Sequence, residues 1–109
     1  MLKITGYTIR MTRGDTARIA LSILDKEGNE YITGPDDVVW FSVKRYLDDE
    51  AYLIKKNVLH GEIVIEPADT SGLEVGGPYW YDVQVTLENG DVSTVIGPNQ
   101  LWLEGEVTV

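Results

Sequence analysis

The chain contains no cysteine, which removes disulfides, thiolate metal sites and cysteine nucleophiles together. A domain that holds without them need not be made in an oxidising compartment. It contains one histidine, His60, so a histidine-rich metal centre has no second imidazole to draw on. Basic residues are also scarce: Lys and Arg number 9 against 18 Asp and Glu, for a formal net charge of -9. Such a balance repels a phosphate backbone instead of releasing its counterions, so nucleic acid is not an expected partner. Long apolar runs are missing as well. No stretch approaches the ~20 apolar residues that cross a bilayer, and residues 1–7 lack the apolar core of a signal peptide. A soluble, unprocessed chain without membrane insertion is therefore expected. Finally, no window of a dozen residues keeps an apolar stripe at helical spacing.

What the chain does have is alternation. Its 109 residues suit one domain, 1–109, large enough to bury roughly two-thirds of its unfolded surface. Period-two segments punctuated by glycine or Asn/Asp pairs make an all-β pattern. A first strand is expected over 3–11 and a second over 16–24, with Ile19, Leu21 and Ile23 on one face. Residues 25–30 supply a turn. After the 33–37 loop, Val39, Phe41 and Val43 alternate with Val38, Trp40, Ser42 and Lys44, the Phe41 side facing inward. Residues 52–56 read as a short edge strand whose lysines discourage edge-to-edge pairing. Over 61–66, Ile63 and Ile65 face inward.

Pro67 cannot donate to a ladder, so that strand stops there, and a short helical turn near residues 68–73, capped by Asp69 or Thr70, crosses between sheets. Gly76, Gly77 and Pro78 then redirect the chain into its most regular strand. There Tyr79, Tyr81, Val83, Val85 and Leu87 alternate with Trp80, Asp82, Gln84, Thr86 and Glu88, giving one buried and one solvated face. Asn89-Gly90 is a hairpin signal, so 92–96 should pair back antiparallel. Gly97-Pro98-Asn99 should break that strand, leaving 101–109 as the last. Seven or eight short strands of this spacing, with no long helix to cover them, suggest a two-sheet antiparallel sandwich.

Reactive constellations are weak. The serines lie in no nucleophile-elbow frame. Asp36-Asp37 and Asp48-Asp49-Glu50 pair carboxylates, yet loop neighbours do not make a placed acid–base pair. Residues 25–30 lack the register of a calcium loop. Arg13-Gly14-Asp15 is explained by a tight turn feeding the second strand, and His60-Gly61 reads as a surface turn. Neither enzyme activity, cofactor nor metal is expected. The aromatic residues are more telling. Trp40, Tyr46, Trp80 and Trp102 are candidate protein-contact residues, because Trp80 alternates out of phase with the core positions of its strand and an outward tryptophan suits a partner interface. Aromatic platforms also stack on sugars, so a carbohydrate-binding module for host-surface glycans is the alternative.

A family resemblance gathers these pieces. Thr12-Arg13-Gly14-Asp15-Thr16, Asp25-Lys26-Glu27-Gly28-Asn29, Val43-Lys44-Arg45 and Gly61-Glu62-Ile63 stand in one order with Asp69-Thr70, Leu73, Gly76, Tyr79, Tyr81-Asp82-Val83, Gly90, Thr94 and Glu106-Val107-Thr108. That order resembles the small immunoglobulin-like tail and baseplate domains of phages and prophages, and is most similar to the N-terminal domain of the baseplate upper protein family. Here Gly76-Gly77-Pro78-Tyr79 is one residue longer than the family pattern, and the last hairpin is extended by Gly97-Pro98-Asn99-Gln100. The resemblance implies an immunoglobulin-like sandwich and a non-enzymatic virion structural protein, made in the bacterial host cytoplasm and built into the tail or baseplate. It would contact other virion structural proteins and form a homo-oligomer on the particle, its acidic surface choosing a basic partner.

Overall fold

The computed structural model describes residues 3–5, 7–23, 27–31 and 34–107. Leu24, Asp25, Lys26, Thr33, Thr108 and Val109, which the sequence assigns to a strand end, two turns and the last strand, lie outside them. The described chain is mostly β. Its order is β1 (Lys3–Thr5), β2 (Thr8–Thr12), β3 (Ala17–Ala20), β4 (Val38–Lys44), β5 (Ile54–Asn57), β6 (Glu62–Ile65), α1 (Pro67–Thr70), β7 (Gly76–Thr86) and β8 (Val92–Glu104). Six strands form one curled sheet in the order β1-β2-β8-β7-β4-β5, and β3 with β6 forms a small second sheet.

Alternation sets the core. In β7 the buried positions are Tyr79, Tyr81, Val83 and Val85; in β4 they include Val39, Phe41 and Val43. β4 and β7 run antiparallel with Phe41 opposite Val83 and Val43 opposite Tyr81. The Phe41 and Tyr81 rings lie 5.5 Å apart at 44°, a tilted pairing that suits two ring quadrupoles. Ile63 and Ile65 from β6, Ala17 from β3, and Ile9, Met11, Leu101 and Leu103 from β2 and β8 complete one continuous core, with Ile19, Leu21, Ile23 and Leu73 packed against it.

Several expectations need correction. The first strand is two, β1 and β2, paired antiparallel. The sheet is mixed, because β2 runs parallel to β8, with Arg10 beside Trp102. The helical turn is shorter than 68–73, and Asp69 is not its N-cap: Glu66 precedes the helix and Asp69 occupies its third position. From there the Asp69 carboxylate accepts the Glu66 amide at 2.8 Å and the Lys56 ammonium at 2.8 Å, the return half of a capping box. Thr70 is fully buried, and its hydroxyl accepts the Gly14 amide at 2.8 Å.

Gly76 and Gly77 belong to β7 itself, where the ladder to β8 shifts register between Gly76 and Tyr79. Gly97-Pro98-Asn99 does not end a strand either. β8 runs unbroken from Val92 to Glu104 by bulging: Tyr81 pairs with Asn99 but Val83 with Ile96, so Gly97 and Pro98 together face Asp82. A bulge is where a sheet accommodates a proline that has no N–H to give.

Candidate functional site

The strands that build the core also fix what lies on the opposite face of the six-stranded sheet. Residues out of phase with the buried set point away from the core, and on β4, β7 and β8 these include Trp40, Trp80 and Trp102, all half-buried. Three of the four sequence candidates therefore share one face, on three adjacent strands. Tyr46 does not join their rows; it lies past the end of β4, 58 % exposed, with the Arg45 guanidinium 4.8 Å from its ring centre.

Cations are interleaved with these rings. Arg10 stands 5.1 Å over Trp102, Lys55 lies 4.9 Å from Trp40, and Tyr52 has Lys44 at 5.0 Å and Lys55 at 4.9 Å. The Trp102 indole N–H donates to Gln100 at 3.0 Å. Trp80 differs: among the described residues no cation covers its ring. The strands of this face carry Arg10, Lys44 and Lys55 against Asp82 and Glu104, and the 45–53 segment at its edge adds Arg45 and the acidic run Asp48-Asp49-Glu50.

The segment 45–53 returns over this face. Asp49 accepts the Tyr46 amide at 3.1 Å, and the Leu53 amide donates to Val43 at 2.8 Å. Tyr46, Leu47, Tyr52 and Leu53 remain exposed along it. Beneath the segment is a cleft of about 200 Å³ lined by Ser42, Lys44, Leu47, Tyr52, Trp80, Tyr81, Asp82, Gln84 and Pro98. Ser42 and Asp82 are direct cross-strand partners on its floor, with Cβ atoms about 5 Å apart by the geometry of such pairs. Gln84 is the next outward residue of β7. Burial pushes the Asp82 carboxyl above the ordinary carboxylate range, with Lys44 opposing the shift. None of Ser42, Asp82 and Gln84 makes a side-chain hydrogen bond to another described residue.

Two other acids hold turns and loops in place. Asp37 accepts the Tyr31 hydroxyl at 2.7 Å and the Gly34 and Glu88 amides at 2.9 and 3.0 Å. These bonds, the Tyr31 one foremost, hold its carboxyl below the usual range. Glu106 is lowered likewise by Arg13, whose guanidinium meets it at 2.9 Å and donates to the Leu73 carbonyl at 3.0 Å. Arg13-Gly14-Asp15 is thus a turn tied to α1 and the segment before β7. His60 and Gly61, both at positive φ, form a two-residue turn closed by the Glu62 amide on Leu59 at 3.2 Å. Among the described residues no group of three His, Asp or Glu side chains could hold a metal ion, and no helix is long and apolar enough to cross a membrane.

Sequence reasoning singled out the tryptophans that share this face but not Ser42, Lys44, Tyr52, Asp82 and Gln84 beside them. The signal was the outward phase that Asp82 and Gln84 share with Trp80, and that Ser42 and Lys44 share with Trp40. Only the β4–β7 register turns those phases into neighbours. No family model, curated protein or solved structure matches this chain.

Proposed function

We propose that this protein is a non-enzymatic assembly module of a phage or prophage particle, an immunoglobulin-like domain of the tail or baseplate that docks on neighbouring structural proteins through the outward face of its six-stranded sheet. The observation that carries the docking reading is the placement of Trp40, Trp80 and Trp102 on three adjacent strands of that face. Tryptophan and tyrosine supply most of the energy in protein interfaces, and the exposed Leu47, Tyr52 and Leu53 extend the apolar area beside them.

Strand pairing supports the immunoglobulin-like part. β3 pairs with β6, and β4, β7 and β8 are consecutive in the other sheet with β5 beside β4. That is the division of strands B and E from C, F and G in an immunoglobulin sandwich, with C′ added. Near the start of β7 the Tyr79 hydroxyl donates back to the Glu74 carbonyl at 2.6 Å, as a tyrosine corner does. Tyr81 stands two residues on, where antibody domains carry the second cysteine, and packs on Phe41 of β4, on the strand from which their buried tryptophan packs against the disulfide.

The docking surface mixes both signs of charge. Because cations are interleaved with the rings while Asp48, Asp49 and Glu50 lie on the adjoining 45–53 segment, the complementary patch on the partner is of mixed charge. Repeated copies on a symmetric particle would also bring like domains into contact.

The test is incorporation. Trp40→Glu and Trp102→Glu each place a charge on the outward face and leave the core intact. Loss of one tryptophan anchor raises a docking Kd roughly thirtyfold, for about 2 kcal/mol. The expected result is that tails purified from the producing cell contain the wild-type chain and lack both variants, although each variant melts cooperatively as wild type does. Tails without the wild-type chain, or with both variants at full occupancy, would overturn the reading.

A further inference from the structure

The cleft under the 45–53 segment has features that a flat docking surface does not need. We propose that it is a binding site for one neutral sugar ring, stacked on Trp80 and hydrogen-bonded by Ser42, Asp82 and Gln84. This site does not depend on the particle assignment.

Three observations converge. The first is the state of the aromatic faces. Trp40 and Trp102 each have a cation over the ring, and Tyr52 has two, whereas Trp80 has none among the described residues and lines the cleft. An uncovered indole presents its negative face to whatever enters. The polarised C–H groups of a sugar ring match that face, and such a ring stacks without bringing a charge.

The second is the floor. Ser42, Asp82 and Gln84 lie together on β4 and β7, with no side-chain hydrogen bonds to other described residues. They offer a hydroxyl that donates and accepts, a carboxylate that accepts, and an amide that does both. Vicinal hydroxyls on a ring need that mixture. A few convergent polar groups in a half-apolar cleft are the ordinary make-up of a small-ligand site, and the space of about 200 Å³ suits a single ring rather than a chain of them.

The third is charge. A cationic ligand would meet Lys44 and Lys55 beside Tyr52. An anion would meet the partly desolvated carboxylate of Asp82. A neutral polyol is opposed by neither, and Lys44 can donate to it from the rim. The β8 bulge opposite Asp82 brings Pro98 into the lining and closes that side.

The experiment is an amide-resolved NMR titration of the intact chain with glucose, galactose, N-acetylglucosamine and rhamnose, each in turn, and with sulfate and putrescine as charged probes. At least one sugar is expected to give saturable shifts at Ser42, Asp82 and Gln84 and to quench Trp80, while the charged probes leave these signals in place. Asp82→Asn, which keeps the shape and loses a charge-assisted acceptor, should weaken that sugar about tenfold or more. Trp40→Ala and Trp102→Ala, outside the cleft, should bind it as wild type does. The proposal is overturned if no sugar gives saturable shifts, if a charged probe is the ligand that saturates, or if affinity survives Asp82→Asn. It is equally overturned if Trp40→Ala abolishes binding as fully as a change in the cleft. Failure here would leave tail incorporation untouched, and failure of incorporation would leave this titration untouched.

Discussion

Among the partly buried acids, Asp82 is set apart by its surroundings. Asp37, Asp69 and Glu106 each accept hydrogen bonds that fix a turn, a helix start or a chain end, whereas Asp82 is pushed above the ordinary range by burial and answered only in part by Lys44. A native carboxyl raised above its unfolded value binds more protons in the folded state within the window between the two. Stability therefore falls as pH rises through that window. The penalty is complete above the native value and absent below the ordinary Asp value of about 3.9. Asp82→Asn is accordingly expected to raise Tm near neutral pH, with the gain disappearing at about pH 3. Thermal unfolding across the pH range checks this, and a variant less stable at every pH would show that Asp82 is a structural acid like the others. A group retained at such a cost is one that a stability-minded reading of the sequence passes over, and the alternation around Trp80 gave Asp82 no mark beyond its outward phase.

At the scale of elements, the sequence was most legible where one physical cause sufficed. Period-two burial placed β4, β6 and β7 and their inward residues. The Pro67 stop and the Asn89-Gly90 hairpin followed from backbone chemistry, and the edge position of β5 from its lysines. It was least legible where two causes compete. Gly76-Gly77-Pro78 and Gly97-Pro98-Asn99 have the composition of turns, yet both are bulges inside strands, because the ladder on either side outweighs a local preference for turning. Gly77 shows why a side chain is not tolerated there. Its φ is +147°, and a Cβ would stand 3.0 Å from both the Leu101 carbonyl oxygen and the Tyr79 amide nitrogen. Gly77→Ala is expected to cost about 1–3 kcal/mol, read from the denaturant midpoint; an unchanged midpoint would mean the strands do not approach so closely. The parallel β2–β8 pairing was illegible for a further reason. It joins residues some 90 positions apart, and no local pattern specifies a partner at that distance.

For the whole molecule, the aromatic surface gathers cations that the composition makes scarce. A chain of net charge -9 carries on one sheet face three tryptophans interleaved with Arg10, Lys44 and Lys55, with the acidic run Asp48-Asp49-Glu50 on the segment at its edge. Composition alone suggested a basic partner; the arrangement points the aromatic face toward one of mixed charge. The central claim is that this face is where the protein acts, and hydroxyl-radical footprinting of the tryptophans in the free chain and in its assembled particle tests it most directly. Trp40, Trp80 and Trp102 are expected to become protected together on assembly, with Val64 of β6 and the neighbouring Leu59 as reactive as before. Unchanged tryptophan reactivity, with protection confined to the β3–β6 side, would contradict the account.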